Sequence, residues 1–209
     1  MPTPNVTVKA FSEFIHTPLY AQMRILHEQK YPKQSPAVFK MPYYAPTRRA
    51  ILRYYRQGND ASHFPIDSAH VPSGKSDARE NNFRSMQSFL NGSHAQRNLQ
   101  VATSTTFESV ISTTIVRFTP DVVGLESNGR TKYIVFDCTQ LCPDREFIDT
   151  LIELAHFTLL ANQVPVQVRD IEYIHLQTDQ TFHRTTIRQR TITRATATAR
   201  AIAAIWPTI

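Results

Sequence analysis

Residues 119–140 read TPDVVGLESNGRTKYIVFDCTQ, and this stretch decides the fold. The Asn128-Gly129 dipeptide is a turn signal between two strand-like runs, residues 122–126 and 131–138, so the segment predicts a β-hairpin. Its second arm carries Tyr133-Ile134-Val135-Phe136, apolar without alternation, as expected of a strand covered on both faces at the centre of a sheet. Downstream, residues 144–162 place Phe147, Ile148, Leu151, Leu154, Ala155 and Leu159 at helical spacing, which predicts a helix lying on that sheet. Residues 164–176 read as another strand region, Thr178-Asp179-Gln180 as a turn and residues 181–187 as a return arm. Upstream, from Leu99, the residues Val101, Phe107, Val110, Ile111, Ile115, Val116 and Phe118 sit among threonines and serines, which is strand composition. The expected class is α/β: a mixed central sheet of four or five strands drawn from residues 99–188, flanked by helices.

The first half has a different texture. Nine of the thirteen prolines precede residue 73, and apolar residues fall at helical rather than alternating spacing. Helices are expected over residues 8–29, broken at Pro18, over 46–57, ending at Gly58, and over 77–90, stopped by Asn91-Gly92. Residues 59–76 read as a loop, and the tail, residues 190–206, as a helix weakened by its threonines. The chain therefore divides into an N-terminal helical region, 1–98, and an α/β core with a basic C-terminal segment, 99–209.

Composition removes several function classes. With 209 residues, 41% hydrophobic and 19% charged, the chain can bury a core. No run of eighteen apolar residues occurs, and residues 1–10 have neither a basic nor an apolar leader region; the expectation is a cytoplasmic protein without a membrane partner. Two cysteines, Cys138 and Cys142, cannot build a disulfide framework or complete a zinc or iron–sulfur site by themselves. Five glycines leave no P-loop and no dinucleotide fingerprint. The eight histidines lack ligand spacing and are assigned no chemistry. A net charge of +6 favours polyanionic partners, nucleic acid first among them.

One pair of ionisable groups stands out. Asp121 and Asp137 lie at equal sequence distance on either side of Gly129, which predicts that they face each other across the hairpin, with Cβ atoms ~5 Å apart. Two carboxylates so placed repel unless a cation lies between them, and hard oxygen donors suit Mg²⁺. A metal so held can activate water against a phosphodiester.

The hairpin, the long helix after it and the later strand segment VQVRDIEYIHLQ together resemble the PD-(D/E)XK nuclease superfamily, in its RecB-type branch, which includes CRISPR adaptation nucleases. The resemblance covers about residues 99–180 and implies a restriction-endonuclease-like fold, DNA as partner and Mg²⁺ as cofactor. Asp121 and Asp137 match the family's two metal-binding acids, and Thr139 stands where the family has its lysine. Glu153 and Phe157 occupy the register of the helical QxxxY signature. A threonine hydroxyl cannot supply the ammonium charge, and no lysine follows Lys132. Lys132 itself is odd in strand parity relative to Asp137 and should face the other way; Gln140, Arg145 and Arg169 are the remaining substitutes. Relatives with an iron–sulfur cluster use four cysteines, so the resemblance argues against a cluster here.

Two basic segments are candidate nucleic-acid contacts. After Asp179 no acid occurs, while Arg184, Arg188, Arg190, Arg194 and Arg200 do. Arg48, Arg49 and Arg53 interleave with Tyr54 and Tyr55 on the second helix. Three functions follow. The preferred one is a DNA-binding, catalytically impaired nuclease-like protein acting with other subunits of a DNA-processing or defence complex. The others are an active Mg²⁺-dependent deoxyribonuclease with a substituted lysine, and a protein-interaction subunit without nucleic-acid binding.

Overall fold

A computed structural model describes residues 3–32, 44–64 and 76–209. Most of the loop expected at 59–76 lies outside them. The described elements are β1 (Asn5–Thr7), α1 (Val8–His16), α2 (Leu19–Lys30), α3 (Ala45–Arg56), α4 (Ser76–Asn91), β2 (Gln100–Ala102), β3 (Phe107–Ile111), β4 (Thr114–Phe118), β5 (Val122–Leu125), β6 (Thr131–Asp137), α5 (Arg145–Ala161), β7 (Ile171–His175), β8 (Gln180–Phe182) and α6 (Gln189–Ile205).

The α/β class, the flanking helices and the N-terminal helices are as the sequence predicts, but the strands form two sheets. One has five strands in the order β2-β5-β6-β7-β8, and the other has three, β1-β4-β3. The β3–β4 hairpin is thus an excursion between the neighbours β2 and β5. Pro120, which has no N–H to give a ladder, lies in the break between β4 and β5. β1, absent from the sequence-based expectation because it is three residues long, pairs in parallel with β4. Residues 164–170 form a loop and a short 3₁₀ turn, so β7 begins only at Ile171, and the return arm is the three-residue β8. Central β6 pairs antiparallel with β5 and parallel with β7, which makes the sheet mixed and explains the unbroken apolar run.

Each face of the five-stranded sheet has its own core. Ile134, Phe136 and Ile174 point to α3 and α4, where they meet Ile51, Tyr54, Tyr55 and Phe89. Tyr133, Ile171 and Tyr173 point to α5, against Ile148, Leu151 and Ile152. Asp144 caps α5, its side chain accepting from the Glu146 N–H at 2.6 Å. The helix is buried on nearly every side, because it lies between this sheet and the three-stranded one, where the Ser109 and Thr158 hydroxyls meet at 3.0 Å. Proline in fact ends α1 and starts α2, as expected at Pro18. No helix among the described residues is long and apolar enough to cross a membrane.

Candidate functional site

Asp121 and Asp137 come to the same end of the β5–β6 pair, but not face to face. Leu125 lies opposite Thr131 and Val122 opposite Ile134, so Asp121 is level with Val135, two residues short of Asp137. The turn explains the offset. Glu126 and Arg130 close a three-residue loop, with the Gly129 N–H donating to the Glu126 carbonyl and Gly129 at φ +80. The hairpin is therefore centred on Asn128, one residue before the Gly129 centre that the Asn-Gly dipeptide suggested, which moves every cross-strand partner by two.

Each carboxylate is engaged by protein donors. Asp121 accepts from the Phe136 backbone N–H at 2.8 Å through Oδ2, and the Arg48 Nε stands 3.5 Å from its Oδ1. Arg48 also donates to the Phe136 carbonyl at 3.3 Å, so this α3 side chain clamps the end of β6. Asp137 is buried; its Oδ1 accepts from the Thr139 N–H at 3.0 Å and hydroxyl at 2.8 Å, and its Oδ2 from the Tyr173 hydroxyl at 2.7 Å. Thr139, in the lysine position, is thus a turn-stabilising partner of Asp137. His175, level with Asp137 on β7 and fully buried, links the Thr139 carbonyl at 2.9 Å to the Thr178 hydroxyl at 2.8 Å.

Electrostatics at this end are mixed. Burial pushes the Asp121 carboxyl above its ordinary value, against the opposing pull of Arg48, the Phe136 hydrogen bond and Lys9. The same burial pushes the Cys138 thiol up to about 12. Tyr173 is raised by burial and by the Asp137 charge it donates to. Lys9, on α1, is the nearby lysine that strand-based reasoning missed; its field reaches both Asp121 and Cys138, though no contact is made. Arg48 was placed among nucleic-acid contacts by its helix neighbours, and only the tertiary fold turns it toward Asp121.

Glu153 does not join this pair. It is fully buried in α5 and bound by the Nε atoms of Arg184 and Arg188, each at 2.9 Å. Asp149, one turn earlier, receives Arg145, Arg184 and Arg188. Arg184 and Arg188 are therefore internal counter-ions of α5 and not a solvent-facing phosphate track. The reason is that two buried carboxylates on a buried helix need cations close by. Arg190 reaches Glu146 at 2.7 Å and Arg194 the Ile15 carbonyl at 2.8 Å, both from exposed positions; Arg200 is exposed on another side of α6. Arg49 and Arg53 are exposed on α3. Of the expected lysine substitutes, Arg145 binds Asp149 and Arg169 binds Gln167, while Gln140 is exposed. Lys132 turns to Glu172 at 3.1 Å and the Arg169 carbonyl, toward the other end of the strand.

This donor set does not fit Mg²⁺ well. Three of the four oxygens of Asp121 and Asp137 accept protein hydrogen bonds, and a guanidinium stands 3.5 Å from the fourth. Among the described residues no three acid, histidine or cysteine side chains converge on one point. Cys138 is buried and Cys142 exposed, and both are free thiols. No protein-family model, curated protein or solved structure gives a significant match to the chain.

Proposed function

We propose that the chain is a nucleic-acid-binding protein of nuclease-like design whose catalytic apparatus is impaired, acting with other subunits in DNA processing or defence. The observation that carries the binding half of this reading is α3. The helix has no acid, and Arg49, Arg53 and Arg56 are exposed at i, i+4 and i+7, one stripe along its outer side. The stripe ends at a groove of about 690 Å³ lined in part by Arg56, Asn59, Asn98, Gln100 and Glu126, the last neutralised by Arg97 at 2.8 Å, so amides and a guanidinium can meet phosphates and base edges there. The impaired half rests on Asp121 and Asp137, whose oxygens are spent on Arg48, Phe136, Thr139 and Tyr173, and on the threonine where the resembled family has a lysine.

The test is fluorescence anisotropy with single-stranded and duplex DNA between about 50 and 200 mM salt. Binding is expected to weaken steeply with salt. Replacing Arg49, Arg53 and Arg56 together by Ala should lower the log–log salt slope by about 2 to 3, since each lost phosphate contact removes roughly 0.7 to 0.9. Absence of binding at the low-salt end overturns the binding half. Cleavage with Mg²⁺ or Mn²⁺ that disappears in Asp137→Ala overturns the impaired half.

A further inference from the structure

The first turn of α6, the first two turns of α5 and the end of α1 enclose a cavity of about 100 Å³, lined in part by Glu146, Thr150, Arg188, Arg190, Thr191 and Arg194. A water occupies ~30 Å³ of liquid, so this space has room for a single tetrahedral group. Three of the lining groups are guanidiniums, and their commitments differ. Arg188 is held by Glu153 at 2.9 Å and Arg190 by Glu146 at 2.7 Å. Arg194 has a carbonyl, that of Ile15, but among the described residues no carboxylate partner. The one acid on the wall, Glu146, is thus already neutralised, and an uncompensated cation remains.

Two further features point the same way. Thr191, in the first turn of α6, is 4% exposed, and among the described residues its hydroxyl has no hydrogen-bond partner. At the α6 N-terminus the Arg188 N–H reaches the Glu153 carboxylate at 3.4 Å and the Thr191 N–H bonds the Arg188 carbonyl at 3.0 Å, which among the described residues leaves the Gln189 and Arg190 N–H groups of this 17-residue helix without a side-chain cap. Beside it, His16 bonds the Thr150 hydroxyl at 3.0 Å, and its imidazole is lowered by burial first and by Arg194 next. The wall is therefore electropositive, supplied with donors and small.

We infer that this cavity is a binding site for one phosphoryl group, either inorganic phosphate or the phosphate monoester at the end of a nucleic acid. Arg194 supplies the counter-charge, the Thr191 hydroxyl and the Arg190 N–H donate, and the Glu146–Arg190 pair closes the rim. The site is independent of the α3 stripe: loss of DNA binding on changing Arg49, Arg53 and Arg56 reads one surface, and loss of the phosphate response reads the other.

The experiment is a thermal-shift titration with sodium phosphate against sodium chloride at matched ionic strength, followed by competition with 5′-phosphorylated and 5′-hydroxyl oligonucleotides. Wild-type protein should show a saturable phosphate-specific rise in Tm. Thr191→Val keeps the side-chain shape and breaks no protein hydrogen bond; Arg194→Gln keeps a donor for Ile15. Both should fold, and each should weaken phosphate binding on the order of tenfold. Competition by the 5′-phosphorylated strand alone assigns the group to a nucleic-acid end, and competition by neither strand assigns it to free phosphate; either supports the site. A Tm that follows ionic strength alone, or phosphate binding unchanged in both variants, overturns it.

Discussion

The Arg48 guanidinium stands 3.5 Å from the Asp121 carboxylate, joining a helix of the first half of the chain to the hairpin at the heart of the second. That pairing sets a guanidinium beside the carboxylate that the sequence reading assigns to a divalent cation. It also makes Asp121 a structural acid whose titration can be followed.

Burial raises the Asp121 carboxyl despite Arg48. An acid raised on folding contributes stability that is fully present below its unfolded value, and that contribution is lost as the pH climbs through the folded value. Asp121→Asn should therefore be at least as stable as wild type at about pH 7, and the difference should narrow as the pH falls toward 4. Urea denaturation across that range checks it; a loss of more than about 2 kcal/mol at neutral pH, as when a stabilising buried pair is broken, contradicts it.

Tyr173→Phe removes a buried hydroxyl that donates to Asp137 at 2.7 Å. The expected cost is about 1.5 to 3 kcal/mol, the range for a hydrogen bond to a charged group, read from chemical denaturation. In the intact protein Tyr54, Tyr55, Tyr133 and Tyr173 are all raised, so in an alkaline absorbance titration these phenols should ionise later than they do in the urea-unfolded chain.

Glu153→Ala leaves Arg184 and Arg188 with Asp149 as their remaining acid. Breaking a buried ion pair from one side costs about 3 to 5 kcal/mol. Stability should fall by that order in a denaturant melt, whereas Arg200→Ala, on an exposed side chain, should change it by less than about 0.5 kcal/mol.

Cys142 is exposed, whereas Cys138 is buried with its thiol pushed up to about 12. Both thiols are raised, Cys142 by partial burial and the Asp137 charge, so a thiol reagent at pH 8 should titrate one group in the folded protein and the second only on unfolding; reaction of both before unfolding would contradict the burial of Cys138.

Much of the architecture was legible because it rests on local signals. Periodicity gave α3, α4, α5 and α6 to within about two residues, and Pro18 gave the break between α1 and α2. The division into two sheets was not legible, because it depends on β1 finding β4 across most of a domain, and a three-residue strand has no pattern to read. At the candidate site, the convergence of Asp121 and Asp137 on one sheet end followed from strand order, but their offset depended on the Glu126–Arg130 loop, whose three residues the Asn-Gly dipeptide does not specify. Glu153 and the tail arginines were each visible as charges. That they neutralise one another inside the protein is a tertiary fact, invisible until the segment between β8 and α6 crosses α5.

The parallel pairing of β1 with β4 carries a consequence for biosynthesis. Asn5 is level with Ile115, so a ribosome has to deliver more than a hundred further residues before the N-terminal strand finds its neighbour. Until then α1, which follows β1 without a break, has neither its sheet nor α5 to cover Phe11 and Phe14. Only the neighbouring α2 is at hand to cover that apolar face during most of elongation, which makes closure of the small sheet a late event in folding.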